Sequence, residues 1–426
     1  FHDGTPFNAD AVKWNLEKWV GTDGHSWLPT TNIVGSIDTP DDYTVVLNNT
    51  EFYYAAIQDL ALVRPVRFLS PSSADADGNF VSAVGTGPWK VDEYTTDQRT
   101  TFVPHEDYWG QQSRLEKVVL EVISDPQTRI AALLSGEVNL IGGEYLGGIS
   151  LESIPVLERN EDVQVVTGVG STSYWVMMNY HRSPFDDVKV RQAINHAIDR
   201  ETISTKLFRG LAAPAHGVFS PNIPYVTQPR PELYDLNLDQ SQALLAEAGW
   251  TPGADGILEK DGQPFEVSML VDADVFPQAK SIAEVMQGTL GELGIDMEIR
   301  LMDFGGWSEA LQNGDYDMAT NISWGAPYDP HSSLSGMFTG GYLGTEGTIY
   351  ADPVLDEMIA DVVGIRDEDE RQAGYDAIWT YMDENAAVAP IVYSLRVYAL
   401  DGTVDGWNLP GTEYDLDLNN VSIVAR

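Results

Sequence analysis

The segment VVLEVISDPQTRIAALLSGEVNLI, residues 118–141, reads as strand, helix, strand. Residues 118–123 are β-branched and aliphatic except for one Glu, a strand composition. Asp125 then supplies an N-cap with Pro126 at the first helical position, and Ile130, Leu133 and Leu134 give the helix an apolar stripe before Gly136. Residues 138–141 return as a short strand. A helix laid between two strands is the pattern of an α/β layer architecture.

The same alternation runs outward in both directions. Toward the start, Asn8 caps a helix carrying Ala11, Trp14, Leu16 and Trp19, and 41–47 forms the second arm of a hairpin. Residues 52–62 read as a helix, and the turn Gly85-Thr86-Gly87-Pro88-Trp89 leads into a strand over 90–94. Toward the end, a strand over 173–179 precedes a helix over 186–203, whose apolar stripe is Val190, Ala193, Ile194, Ala197 and Ile198. His196 falls at the edge of that stripe, as a structural histidine. A helix over 239–248 ends at Gly249, and a hairpin spans 250–264. Strand 265–271, helix 279–293, strand 295–301, helix 307–313 and strand 316–323 follow. Helices 352–364 and 369–384 and a strand 389–400 complete the chain.

The 426 residues are 43% apolar and 10% aromatic, enough for two or three domains with a large core. Aspartate and glutamate number 65 against 24 lysines and arginines, a net charge of −41 spread along the whole chain. Such a surface repels itself at ordinary salt; near molar salt the screening length falls to about 3 Å. The charge therefore reads as a halophilic adaptation, and it argues against nucleic acid as a partner. No run of about 18 apolar residues is present to cross a membrane as a helix. Phe1-His2-Asp3-Gly4 opens inside a turn, so an N-terminal portion, with any signal or anchor, is expected to precede it.

Enzyme chemistry finds little support. The chain has no cysteine, no Gly-x-Ser-x-Gly elbow, and a single His-Glu pair, His105-Glu106, without a second histidine four residues after the first. Asp75-Ala76-Asp77-Gly78-Asn79 lacks the glutamate a calcium loop requires. The Gly-rich turn at 85–89 has no Gly-Lys-Ser/Thr and opens no helix, so it is not a phosphate loop. The seven histidines stand singly, with no local metal motif.

A binding site is the stronger reading. Trp324-Gly325-Ala326-Pro327-Tyr328-Asp329-Pro330-His331 breaks out of a strand and carries two large aromatics, where α/β proteins place ligand-contacting groups. Arg64 and Arg67 sit inside the otherwise apolar run 60–68, and arginines buried in this way need an anionic partner from the protein or a ligand.

Several segments together resemble the solute-binding proteins of ABC importers for peptides and nickel. They are FHDGTPFNADAV (1–12), GTGPW (85–89), SDPQTRIAALLSGEV (124–138), PFDDVKVRQAINHAIDRE (184–201) and YDLNLDQSQALLAEAGW (234–250). The resemblance implies a non-enzymatic, extracytoplasmic protein, periplasmic or at the cell surface, with no cofactor of its own. The implied fold is α/β, a two-lobed type II periplasmic-binding-protein-like clamshell with two interlobe crossings. Lobe I would comprise 1–172 with its N-terminal part missing, lobe II 173–397, and 398–426 would return to lobe I. A monomer working with a membrane ABC permease is expected.

Within that family LALVRPVRFLSPS (60–72) and SWGAPYDPH (323–331) are similar to the periplasmic nickel-binding branch, which binds nickel as a complex with a small carboxylate chelator such as histidine. Carried over by motif, the ligand-binding positions are Trp27, Arg64, Trp324, Tyr328 and Thr412. Arg64 would grip the chelator's carboxylate bidentately, Trp27 and Trp324 would sandwich the chelate, and Tyr328 would add a hydroxyl. Arg67 is taken as structural. Two positions depart from the branch: Gly24 replaces a second arginine, and Tyr342 stands nearest the place of a nickel-ligating histidine. Tyrosine is a poor nickel ligand beside imidazole. The alternative within the family is a di- or oligopeptide or another small organic acid. Peptide binders place an Asp near Ala326 to hold the α-amino group, which counts against peptides here. A secreted hydrolase is the remote alternative from a different class.

Overall fold

A computed structural model describes residues 1–25, 28–61, 67–143, 147–226, 233–272, 278–340, 350 and 352–425. The chain divides into two compact units, Phe1–Gly168 with Arg396–Arg426, and Val169–Leu395.

In the first unit, helix α1 (Ala9–Leu16) starts at Asn8, whose side-chain oxygen accepts the Ala11 N–H at 3.0 Å. Strands β1 (Val34–Asp41) and β2 (Thr44–Asn49) form an antiparallel hairpin. Strands β3 (Trp89–Thr95), β4 (Arg99–Pro104) and β5 (Val118–Glu121) form an antiparallel sheet. Helix α2 (Pro126–Ser135) has the N-cap read from the sequence: Asp125 accepts from the Thr128 N–H at 2.7 Å. It ends at Gly136 with φ 77°, the left-handed conformation that glycine adopts without steric cost. Strand β6 (Leu140–Gly142) follows, but β5 and β6 enter different sheets. The 118–141 segment is therefore strand, helix, strand without being a parallel crossover unit.

Two expectations fail in this unit. Within the expected helix 52–62, the described residues 52–61 hold one short helical turn, Ala56–Asp59, whose last carboxylate is buried and accepts from the Thr30 hydroxyl at 2.6 Å. Arg67, read as part of a buried run, is exposed; Arg64 lies outside the described residues.

Strand β7 (Val163–Met178) carries the chain into the second unit. There follow α3 (Val188–His196), α4 (Leu238–Glu247), β8 (Glu266–Asp272), α5 (Ala279–Glu292), β9 (Asp296–Met302) and α6 (Phe304–Gln312). Strand β10 (Met318–Ile322) and helices α7 (His331–Met337), α8 (Pro353–Gly364) and α9 (Glu368–Glu384) come next, and β11 (Val388–Asp401) returns the chain to the first unit. The chain thus passes between units twice, each time within a strand. The sheet order is β9-β8-β10-β7-β11, and the end of β11 pairs with β6. Strand β8 runs parallel to both its neighbours, β9 and β10. Its last residues Met269, Leu270 and Val271 are all fully buried, as expected of a strand with both faces covered. Among the described residues no helix is long and apolar enough to cross a membrane.

The single helix expected over 186–203 is broken. Helix α3 stops at His196, Asp199 then caps a new turn by accepting from the Thr202 N–H at 2.9 Å, and Ile203–Leu207 is wound as a π-turn. The break serves Arg200. Its guanidinium is buried and donates to the carbonyls of Pro390 (2.7 Å), Asn195 (3.0 Å) and Tyr234 (2.8 Å) and to Asn195 Oδ1 (3.1 Å). Burial pushes its pKa down to about 10, so it stays charged at neutral pH. His196 bears out its structural reading: Nδ1 lies 3.1 Å from the Asp235 carbonyl.

Arg200→Met removes the buried donor that serves these acceptors, the Pro390 and Tyr234 carbonyls and Asn195 Oδ1 among them. It is expected to lower the unfolding free energy by about 3 kcal/mol, read as a lower urea midpoint at unchanged m-value.

Candidate functional site

The order β9-β8-β10 places a topological switch at β8, because the connections through α5 and α6 leave its two parallel neighbours on opposite sides. Open α/β sheets bind ligands outside the carboxyl ends of strands at such points. Asp272 ends β8, and Ile322 ends β10 and leads directly into Ser323 and Trp324.

The loop 323–330 is anchored from two sides. Toward β7, the Ser323 N–H donates to the Ser173 carbonyl at 3.0 Å, and the Ser173 N–H donates to Ser323 Oγ at 3.1 Å. The Ala326 N–H donates to Ser171 Oγ at 2.8 Å. Within the loop, Gly325 has φ 79°, and its N–H donates to Asp329 Oδ2 at 3.0 Å. Ser333 Oγ, on α7, donates to the other oxygen of the same carboxylate, which is buried. Peptides Ala326–Pro327 and Asp329–Pro330 are cis.

These bonds fix two aromatic rings. Trp324 and Tyr328 meet edge to face, centroids 6.1 Å apart at 85°. The Trp324 indole lies on Gly336 of α7, where a Cβ would stand 2.3 Å from Cη2, so only glycine admits the ring at this distance. Trp324 is half-buried, and Tyr328 is buried together with its hydroxyl. Tyr328 thus backs the Trp324 ring from within the fold.

A cavity of about 190 Å³ opens beside Trp324 within the second unit. Its walls include Trp175 from β7, Ile282 from α5, Phe304 and Trp307 from α6, and Met337 from α7, with Asp272 at the end of β8. Sequence reading missed these residues, because β7 and β10 are joined by pairings such as Asn321 with Trp175 that bridge a long separation along the chain. One local signal was present: Phe304, Trp307 and Ser308 stand at the three- and four-residue spacing that shares one helical face.

Of the other positions expected in the site, Thr412 belongs to the first unit, where its hydroxyl donates to Asp415 at 2.8 Å and accepts from the Tyr414 N–H at 3.2 Å. Trp27, Arg64 and Tyr342 lie outside the described residues. Gly24 sits in an exposed turn. Among the described residues no group of three His, Asp or Glu side chains could hold a metal ion.

A model of the bacterial extracellular solute-binding proteins, family 5, matches residues 1–344. The chain is 29% identical over 402 residues to the nickel-binding periplasmic protein of Escherichia coli K12, covering 92% of this chain and 76% of that one. It is 24% identical over 444 residues to the glutathione-binding protein GsiB of the same strain, covering 98% and 80%. Among solved structures, NikA from Brucella suis in complex with Fe(III)-EDTA superposes with TM-score 0.91 at 30% identity, covering all of this chain and 86% of that one.

Gly336→Ala is expected to drive the Trp324 ring from its seat and to cost about 1–3 kcal/mol of stability. The check is a lower urea midpoint together with a changed near-ultraviolet circular dichroism spectrum.

Proposed function

The chain belongs to the bacterial extracellular solute-binding proteins of family 5, and from that premise we propose that it captures nickel as a complex with a small carboxylate chelator, histidine-like, for delivery to an ABC permease. The fold is the α/β periplasmic-binding-protein type expected from the sequence. Members of the family are substrate-binding proteins of ABC transporters working outside the cytoplasm, not enzymes.

The observation that carries the nickel reading is the anchored wall Trp324–Tyr328 at the carboxyl edge of β10, in a chain similar to the nickel-binding periplasmic protein of Escherichia coli. In this proposal Trp324 and Trp27 stack on the chelate, and Arg64 takes a carboxylate through two parallel N–H donors. Thr412 adds a hydroxyl, and Tyr328 holds the Trp324 ring. Tyr342, at the place where the nickel branch offers a histidine, leaves the metal's coordination to the chelator. Ala326 favours this ligand over a peptide. It brings no carboxylate to meet an α-ammonium group. A buried ammonium without a partner is costly.

Calorimetry with nickel alone, nickel with histidine, glutathione and dipeptides separates the ligands. Saturable binding of nickel–histidine, with no heat from the peptides, is the expected result; a peptide that binds while nickel–histidine does not would refute it. Arg64→Ala is expected to weaken nickel–histidine by about tenfold or more, with the thermal midpoint unchanged.

A further inference from the structure

The cavity beside Trp324 has a size, a surface and a charge that together describe what enters it. At about 190 Å³ it is somewhat larger than a cavity of about 150 Å³ that admits benzene, so one six-membered ring fits. Helix α6 turns Phe304, Trp307 and Ser308 toward it from one face, and the Phe304 and Trp307 rings stack at 5.9 Å and 25°. The indole nitrogens of Trp175 and Trp307 are buried in the packing, so these rings line the space with carbon. Polar groups at its edge are engaged elsewhere. Thr320 Oγ1 accepts from the Asp272 N–H at 3.3 Å, and the Asn321 amide donates to Met177 Sδ at 3.1 Å.

The charge is one-sided. Apart from the Tyr174 phenol, Asp272 is the ionisable side chain among the described residues lining the cavity, which include no lysine, arginine or histidine. A carboxylate entering here would meet the Asp272 carboxylate, a group of like charge, so an acidic group is disfavoured.

We infer that this cavity receives an uncharged, ring-sized apolar group of the transported ligand, so that the ligand carries such a group in addition to its carboxylate. The inference rests on the reading above that Trp324 faces the ligand, since the same ring closes one side of the cavity.

Calorimetry with metal-free and nickel-bearing probes tests this. Benzyl alcohol and benzoate read the cavity alone, and benzyl alcohol is expected to bind about tenfold or more tightly than benzoate. Ser308→Phe, which fills the cavity from its edge, is expected to weaken benzyl alcohol by about tenfold, and Ser308→Ala to leave it nearly unchanged. The nickel complex of N-benzyliminodiacetate is expected to bind about tenfold more tightly than that of N-methyliminodiacetate, an advantage that Ser308→Phe removes. Equal binding of benzyl alcohol and benzoate overturns the inference. So does wild-type affinity for benzyl alcohol in a Ser308→Phe protein whose circular dichroism shows it folded, or equal affinity for the two nickel complexes. If neither complex binds while benzyl alcohol binds as described, the nickel reading fails and the apolar selectivity of the cavity stands.

Discussion

The buried carboxylate of Asp329 is the constraint on which the candidate site depends. Its two oxygens are taken by the Gly325 N–H and the Ser333 hydroxyl, so the turn after β10 and the helix α7 behind it are tied to one group. Burial strengthens such hydrogen bonds relative to the same bonds in water. Without this tie, the segment from Trp324 to Pro330 would be an irregular stretch of two glycine- and proline-punctuated turns. With it, the chain leaves the sheet on a fixed path, and the Trp324 ring is pressed onto Gly336.

The sheet explains why that ring is useful where it is. Parallel neighbours on both sides of β8 leave a crevice at the carboxyl ends, and α5 and α6 roof it with Ile282, Phe304 and Trp307. An apolar crevice lined with one carboxylate is suited to selecting shape and rejecting anions. It is not suited to holding a carboxylate; that grip is proposed for Arg64 on the motif resemblance alone. The protein's excess of acidic residues, −41 overall, makes a scarce arginine valuable for that role.

Much of the fold was legible because local signals agree with tertiary structure. Asn8, Asp125 with Pro126, and Gly136 mark helix ends that the structure reproduces, and Gly249 and Gly294 follow helices with positive φ. The misreadings have physical causes. The helix over 186–203 looked continuous from its apolar stripe, but the buried Arg200 guanidinium meets four acceptors drawn from three segments, on Asn195, Tyr234 and Pro390, and the chain breaks at this point. Helix α7 went unread because Pro327 and Pro330 obscure its approach and its seven residues, HSSLSGM, are mostly polar and carry no apolar stripe. In the site, Trp324 and Tyr328 were found by composition and resemblance. The role of Tyr328 was less legible: its hydroxyl was expected at the ligand, and the structure buries it. The cavity was invisible in the sequence because Trp175, Asp272, Trp307 and Met337 come together only through strand pairing and helix packing.

The central claim is that the anchored Trp324 is a wall of the ligand site and not merely packing for α7. A crystal structure of the protein grown with nickel and histidine tests it most directly. The account predicts ligand atoms within about 4 Å of the Trp324 ring, with Asp329 still bound to Gly325 and Ser333. A ligand seated away from Trp324, with that ring touching only Gly336 and Tyr328, would contradict it.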